Sequence, residues 1–357
     1  MSKSIDNSQI SVDWYINNRP IYKKLAIKIQ TILTEIFEMK KLSYHIITCR
    51  AKEIDSFKIK IANPKYNDPI NQITDLAGIR IISYVEDELV QICKILEETF
   101  DIDKNNSLDK SKELGIDKVG YKSVHYVAKL KNDRLQLPEY SIYENKFFEI
   151  QVRTILQHAW AEIEHDRNYK FSGKLPDEIS RRFKLLAGSL EIADREFNHI
   201  SQEIDKIAKD VKEGTEKGTL NFDLNTTSLR QYIETKFKDL GGIDQLKIVN
   251  IDEAINELDK FGIKSLADFD KLVPKDFVEV FNSSGKTISS IGSIAGIIRA
   301  ILIISDQDKY FLNSWDKSWT IWNPEVTGYS KTFDYYKVNW SDIEQKYKVT
   351  LEPKNSA

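Results

Sequence analysis

The chain has 357 residues and carries 52 basic against 55 acidic side chains, a net charge of −3. That length exceeds one ordinary core, so two domains are expected, and a 41% hydrophobic, 30% charged composition with 14 Gly and 8 Pro excludes collagen-like and broadly disordered chains. The near-neutral balance excludes a protein drawn onto nucleic acid or anionic lipid by its overall field, and two cysteines, Cys49 and Cys93, make no disulfide framework and fit a reduced cytoplasmic setting.

The polar start, Met1 to Asn18, lacks the charged-then-apolar order of a secretory signal. Apolar residues at helical spacing from Val12 to Lys41, including Leu25, Ile29, Ile32 and Ile36, predict a long amphipathic helix. A strand or turn up to Cys49 follows, then a helix over Arg50–Asn63, a strand over Gly78–Tyr84 and a helix over Glu86–Phe100. Beyond a polar loop around Lys104–Lys118, period-two alternation predicts strands at Tyr121–Leu130 and Lys146–Arg153, and helical period returns over Ile155–Tyr169. The expected class is therefore α/β, a mixed sheet flanked by helices.

A long helix is expected over Pro176–Lys212, whose stripe of Phe183, Leu186, Leu190, Ala193 and Phe197 suits either core packing or a homo-oligomer contact. Gly214, Gly218 and several Thr and Asn mark Glu213–Asn225 as a linker, which sets the domains at 1–219 and 220–357. The second domain reads as short helices followed by an aromatic segment. Its apolar window Ile288–Ile304 contains Arg299, Ser and Gly and is expected to be a buried helix, not a membrane span. Gly285-Lys286-Thr287 lacks the upstream glycine and strand of a phosphate-binding loop, and Trp315, Trp319 and Trp322 are read as core.

Three groups carry chemistry. Arg50, Lys52, Ser56 and Lys60 combine a planar fork, point charges and a hydroxyl around the predicted start of a helix, an arrangement suited to polyphosphate. Asp75 stands at the entry to an apolar strand that carries Arg80, and Glu149 shares a strand face with Gln151 and Arg153, opposite Phe148, Ile150 and Val152. If Asp75 and Glu149 converge, they form the oxygen-ligand pair that Mg²⁺ uses when it also holds substrate phosphates. In Gly120-Tyr121-Lys122-Ser123-Val124-His125, alternate residues present an aromatic plate and an imidazole on one side, where a base can stack. Taken singly, each group also reads as a solvated face, an edge strand or ordinary aromatic packing.

In order, Arg50-x-Lys52-x-x-x-Ser56-x-x-x-Lys60, the Ile73–Arg80 segment, Gly120–His125, Glu149–Thr154 and the Gln157–Asp166 block resemble the synthetase domain of RelA/SpoT-type alarmone synthetases. The resemblance covers about Tyr44 to Lys170. It implies a nucleotidyltransferase-like fold that moves the β,γ-pyrophosphate of ATP to the 3′-hydroxyl of GDP or GTP, making ppGpp or pppGpp. By position it assigns Arg50, Lys52, Ser56, Lys60 and Arg80 to ATP, and Tyr121, Lys122, His125, Gln151 and Arg153 to the acceptor nucleotide. It assigns Asp75 and Glu149 to Mg²⁺, with Glu149 also activating the acceptor hydroxyl.

Only His45 among the five histidines precedes these blocks, so the His/Asp hydrolase of the long family members is not expected. The chain is similar to the small, synthetase-only members, with a mainly helical C-terminal domain added that has a regulatory or partner-binding role. A toxin-like branch of the same superfamily pyrophosphorylates the 3′ end of tRNA, and it stands as the alternative expectation. In that case the C-terminal domain controls the toxin, in a toxin–antitoxin or phage-defence setting.

Overall fold

The computed structural model describes residues 2–109, 123–170, 176–240, 243, 249–285, 293–315, 321–322, 324, 329–349 and 351–352, the side chains of 2–7, 109, 167–170, 321–322 and 352 excepted. Tyr121, Lys122 and most of the expected 104–118 loop lie outside these residues, as do Trp319 and Lys286-Thr287.

Two compact units divide the chain, Met1–Ser201 and Gln202–Ala357. In the first, α1 (Ser2–Met39) leads into β1 (Ile46–Ala51), α2 (Ile54–Ile61), β2 (Ala77–Ser83), α3 (Glu86–Thr99), β3 (Phe100–Ile102) and β4 (Leu108–Asp109). Then come β5 (Val124–Leu130), β6 (Phe148–Thr154), α4 (Ile155–Lys170) and the first part of α5 (Asp177–Lys217), a helix that runs on past Ser201 into the second unit. The strands form one mixed sheet in the order β1–β2–β6–β5–β3, with β4 paired to β5. β2 and β6 run parallel and the other pairs antiparallel.

The sheet is two-faced because side chains alternate along a strand. Ile47, Ile79, Ile81, Ile150 and Val152 are buried in one core with Tyr15, Leu25, Ile29, Leu33 and Phe37 of α1 and Ile92 and Leu96 of α3. Each such side chain contributes roughly 1.5–3 kcal/mol by leaving water. The opposite face carries Thr48, Arg50, Arg80, Glu149, Gln151 and His125. In α1, Pro20 stands inside the helix and supplies no N–H to the Ile16 carbonyl; both residues are exposed.

The expected helix over Arg50–Asn63 is corrected. Arg50 belongs to β1 and pairs with Gly78, Lys52 lies in the connection, and the helix begins at Ile54. The expected linker is also partly helical. α5 continues to Lys217, because at Gly214 a Cβ would meet Phe222 at 2.5 Å and the Thr219 carbonyl at 2.6 Å, and Gly218, with φ +74°, ends the helix.

The second unit packs α6 (Thr226–Lys236), α7 (Ile251–Lys260), α8 (Leu266–Leu272), α9 (Phe277–Ser283) and α10 (Ile294–Ser305), followed by a single turn of π-helix at Tyr310–Ser314. Two further helices, α11 (Ser330–Tyr335) and α12 (Trp340–Tyr347), and a two-residue parallel pair, β7 (Ile321–Trp322) with β8 (Leu351–Glu352), complete it. α10 is the buried helix expected from the apolar window, with Ile294, Ile297, Ile298, Ile301 and Leu302 shielded from water. Its Arg299 donates to both carboxylate oxygens of Glu257, which also accepts from Tyr310 at 2.8 Å. Trp315 packs against this core, as expected. Among the described residues, no helix is long and apolar enough to cross a membrane.

Candidate active site

The β-ladder places the polar residues in two rows. Arg50, Gly78, Glu149 and Val127 are successive neighbours across β1, β2, β6 and β5, and Thr48, Arg80, Gln151 and His125 form the next row on the same face. Gly78, lacking a side chain, leaves a hollow between Arg50 and Glu149. A cleft of 230 Å³ opens there, lined by Thr48, Arg50, Lys52, Asp75, Gly78, Arg80, Glu149 and Gln151 among others.

Lys52 and Lys60 both reach Asp75. Their ammonium nitrogens lie 2.7 and 2.8 Å from the same Oδ2, so one oxygen serves two cations. The second oxygen, Oδ1, is buried and has no hydrogen-bond partner among the described residues. Burial depresses the Lys60 pKa, but the hydrogen bond and charge of Asp75 outweigh it and hold the ammonium above its ordinary range. With Arg50 and Arg80 beside this triad, the cleft carries a local excess of positive charge in a chain that has none overall.

Glu149 is fixed by a chain of side-chain hydrogen bonds. Arg153 Nη2 donates to Gln151 Oε1 at 2.8 Å, and Gln151 Nε2 donates to Glu149 Oε1 at 2.7 Å. His125 Nδ1 faces that same oxygen at 3.4 Å. Burial pushes the carboxyl up, but the hydrogen bonds from His125 and Gln151 and the charges of His125 and Lys60 prevail and hold it at about 2. Glu149 is therefore ionised at neutral pH.

Of the residues singled out in the sequence, the fold gathers Arg50, Lys52, Asp75, Arg80, Glu149 and Gln151 around one cleft, with Lys60 bound to Asp75. His125 and Arg153 stand behind Glu149 and Gln151. Ser56 is exposed on α2, one turn before Lys60, and is not among the lining residues. Sequence reasoning missed Thr48 and Gly78. Alternation with Arg50 reveals Thr48 once that segment is a strand, and Gly78 is the one position of the Arg50–Glu149 row without a side chain. It also left Glu162 without a role, although Glu162 of α4 pairs with Arg80 at 3.0 Å and stands 3.8 Å from His158 Nδ1. Burial, then the Arg80 charge, lowers the His158 pKa.

Among the described residues no group of three or more His, Cys, Asp or Glu is poised for a metal ion. Two carboxylates nevertheless suit Mg²⁺, which is bound through one or two carboxylates while phosphates and water complete its shell. The buried acceptor Asp75 Oδ1, lacking a donor among the described residues, and the ionised Glu149 on the same cleft fit that demand.

Fold and site together define a cationic cleft with two carboxylates on the polar face of a mixed sheet. Residues 49–174 match the family model described as the region found in RelA / SpoT proteins. The chain is 27% identical over 193 residues to GTP pyrophosphokinase YjbM of Bacillus subtilis (strain 168), covering 52% of this chain and 86% of that protein. It is 27% identical over 143 residues to GTP pyrophosphokinase YwaC of the same organism, covering 37% of this chain and 60% of that one. The crystal structure of small alarmone synthetase 1 from Bacillus subtilis aligns with a TM-score of 0.46 at 24% identity, covering 54% of this chain and 98% of that chain.

Proposed function

We propose that this chain transfers the β,γ-pyrophosphate of ATP to the 3′-hydroxyl of GDP or GTP and does not hydrolyse the product. The observation that carries the reading is the shared cleft: Arg50, Lys52 and Arg80 line it together with Asp75 and Glu149. Its likeness to YjbM, which bears the name GTP pyrophosphokinase, supports the acceptor.

Transfer of this kind depends on positioning and on neutralising spread negative charge. Arg50, Lys52, Lys60 and Arg80 hold the donor phosphates. The acceptor 3′-oxygen attacks the β-phosphorus, the bond from that phosphorus to the α,β-bridging oxygen breaks, and AMP leaves. Glu149 orients the hydroxyl and receives its proton as the new P–O bond forms; a carboxylate with a pKa of about 2 is too weak a base to remove it beforehand. Asp75 and Glu149 are the residues to hold Mg²⁺, which when bound supplies further neutralisation of the phosphates. Tyr121 and Lys122 serve the acceptor nucleotide, with His125, Gln151 and Arg153 arranged behind Glu149. Residues 220–357 serve as a regulatory or partner-binding domain of a cytoplasmic enzyme.

The test is incubation with γ-³²P-labelled ATP and Mg²⁺, offering GDP, GTP and deacylated tRNA separately. Label on a guanine nucleotide is expected. Label on tRNA replaces the acceptor with an RNA end, and release of pyrophosphate from added ppGpp contradicts the absence of hydrolysis.

A further inference from the structure

Lys52 is held at three points. Its backbone N–H donates to the Leu76 carbonyl at 3.0 Å, one residue beyond Asp75, and its ammonium lies on Asp75 itself. The third point is its backbone carbonyl, which accepts from two side chains of α1: the Tyr15 hydroxyl at 2.6 Å and Arg19 Nε at 3.0 Å. Both lone pairs of that oxygen are thereby used. Arg19 turns another edge of its guanidinium, Nη2, to Glu53 at 2.6 Å. Tyr15 is fully buried and stacks on Phe57 of α2 with ring centroids 4.5 Å apart, three residues before Lys60. Burial, against the opposing charge of Arg19, raises the Tyr15 pKa to about 12, so its hydroxyl keeps its proton and remains a donor.

From this geometry we infer that Tyr15 and Arg19 are positioning residues for the donor-phosphate cations, locking the β1–α2 connection so that Lys52 and Lys60 meet at Asp75. Neither residue lines the cleft, and neither belongs to the segment that matches the RelA / SpoT model. The connection is short and lacks regular structure: β1 ends at Ala51 and α2 begins at Ile54, with no side-chain cap from Glu53. A long lysine displayed from such a connection loses its fixed geometry when the carbonyl beneath it is released. A pre-ordered cation stabilises transferring phosphate more than a wandering one, because no reorganisation is left for the moment of reaction. The inference rests on the pyrophosphokinase reading for the identity of the donor nucleotide, but the clamp itself does not depend on it.

The experiment compares full-length wild type with Tyr15→Phe, Arg19→Met and the double variant. Phe keeps the stack on Phe57, and Met keeps most of the aliphatic stem of Arg19. The double variant is expected to raise KM for ATP by about 5- to 20-fold, the scale of one or two lost hydrogen bonds, with KM for the guanine nucleotide within about twofold and an unchanged far-UV spectrum. Glu53→Gln removes an exposed ion pair while leaving Arg19 Nε on the carbonyl, and is expected to keep the wild-type KM. An unchanged KM for ATP in the double variant, or equal losses on both substrates together with a collapsed melting transition, overturns the inference. If wild type shows no transfer at all, the functional reading fails and the clamp is read from the Lys52 ¹³Cε resonance: displacement in the double variant supports it, and an unmoved signal overturns it.

Discussion

Gly78 of β2 stands opposite Glu149 of β6 in the parallel ladder, while its other edge faces Arg50 of β1. Among the described residues, a Cβ at this position meets only the Arg50 carbonyl at 3.9 Å and Arg50 Cγ at 4.0 Å. Gly78→Ala is therefore expected to fold normally and retain most activity. Gly78→Leu projects its side chain into the cleft and is expected to weaken binding of a non-hydrolysable ATP analogue by about tenfold or more, the scale of lost phosphate contacts, without lowering the melting temperature by more than a few degrees. Calorimetric titration of both variants checks the pair.

Glu149→Gln keeps the volume and removes the charge. Loss of proton acceptance predicts a fall in kcat of about 10²–10⁴-fold with the far-UV spectrum unchanged, measured by steady-state transfer kinetics. Retained turnover refutes the role given to Glu149.

The same substitution has a signed effect on acid stability. The Glu149 pKa is lowered from an ordinary 4.5 to about 2 by folding, so its ionised form contributes stability that is complete above about 4.5 and lost as the pH falls towards 2. Wild type is expected to lose stability over that window more steeply than Glu149→Gln. Parallel melting curves between pH 5 and pH 2 check this, and identical slopes contradict it.

Asp75→Asn leaves Lys52 and Lys60 facing each other without the carboxylate they share. The Lys60 pKa, now held up by Asp75, is expected to fall, and the protein to lose about 1–3 kcal/mol of stability along with transfer activity. Lysine side-chain NMR titration and urea unfolding read the two effects.

In the second unit, Arg299→Met leaves the buried Glu257 carboxylate without the Arg299 guanidinium, and is expected to cost about 3–5 kcal/mol. Replacing Glu257 by Leu in the same chain is expected to restore much of that loss, because an apolar pair needs no compensating charge. Urea unfolding of the single and double variants gives the coupling.

Local patterns in the sequence reach some of this structure but not all of it. The β6 face is legible because Glu149, Gln151 and Arg153 alternate with Phe148, Ile150 and Val152 at the period of a strand. Arg50 misleads because Ser56 and Lys60 set a helical spacing that extends backwards by arithmetic, while the chain at Arg50 is claimed by ladder pairing with Gly78, 28 residues away. The meeting of Lys52 and Lys60 on one oxygen of Asp75 joins residues 23 and 15 positions apart, which no local period encodes. Gly214 suggests a linker, yet its missing side chain makes room for Phe222 against a continuing helix. The Tyr15 and Arg19 contacts with the Lys52 carbonyl depend on the packing of α1, so composition and spacing give no trace of them.

In the proposed reaction, this cleft moves an intact pyrophosphoryl group from ATP to a guanine nucleotide. Phosphorus NMR of a reaction containing ATP, GDP and Mg²⁺ tests it most directly. Equimolar AMP and a guanine nucleotide bearing a new 3′-pyrophosphate are expected, formed only when both substrates are present. AMP or ADP appearing without GDP, or no change in the guanine nucleotide while ATP is consumed, contradicts it.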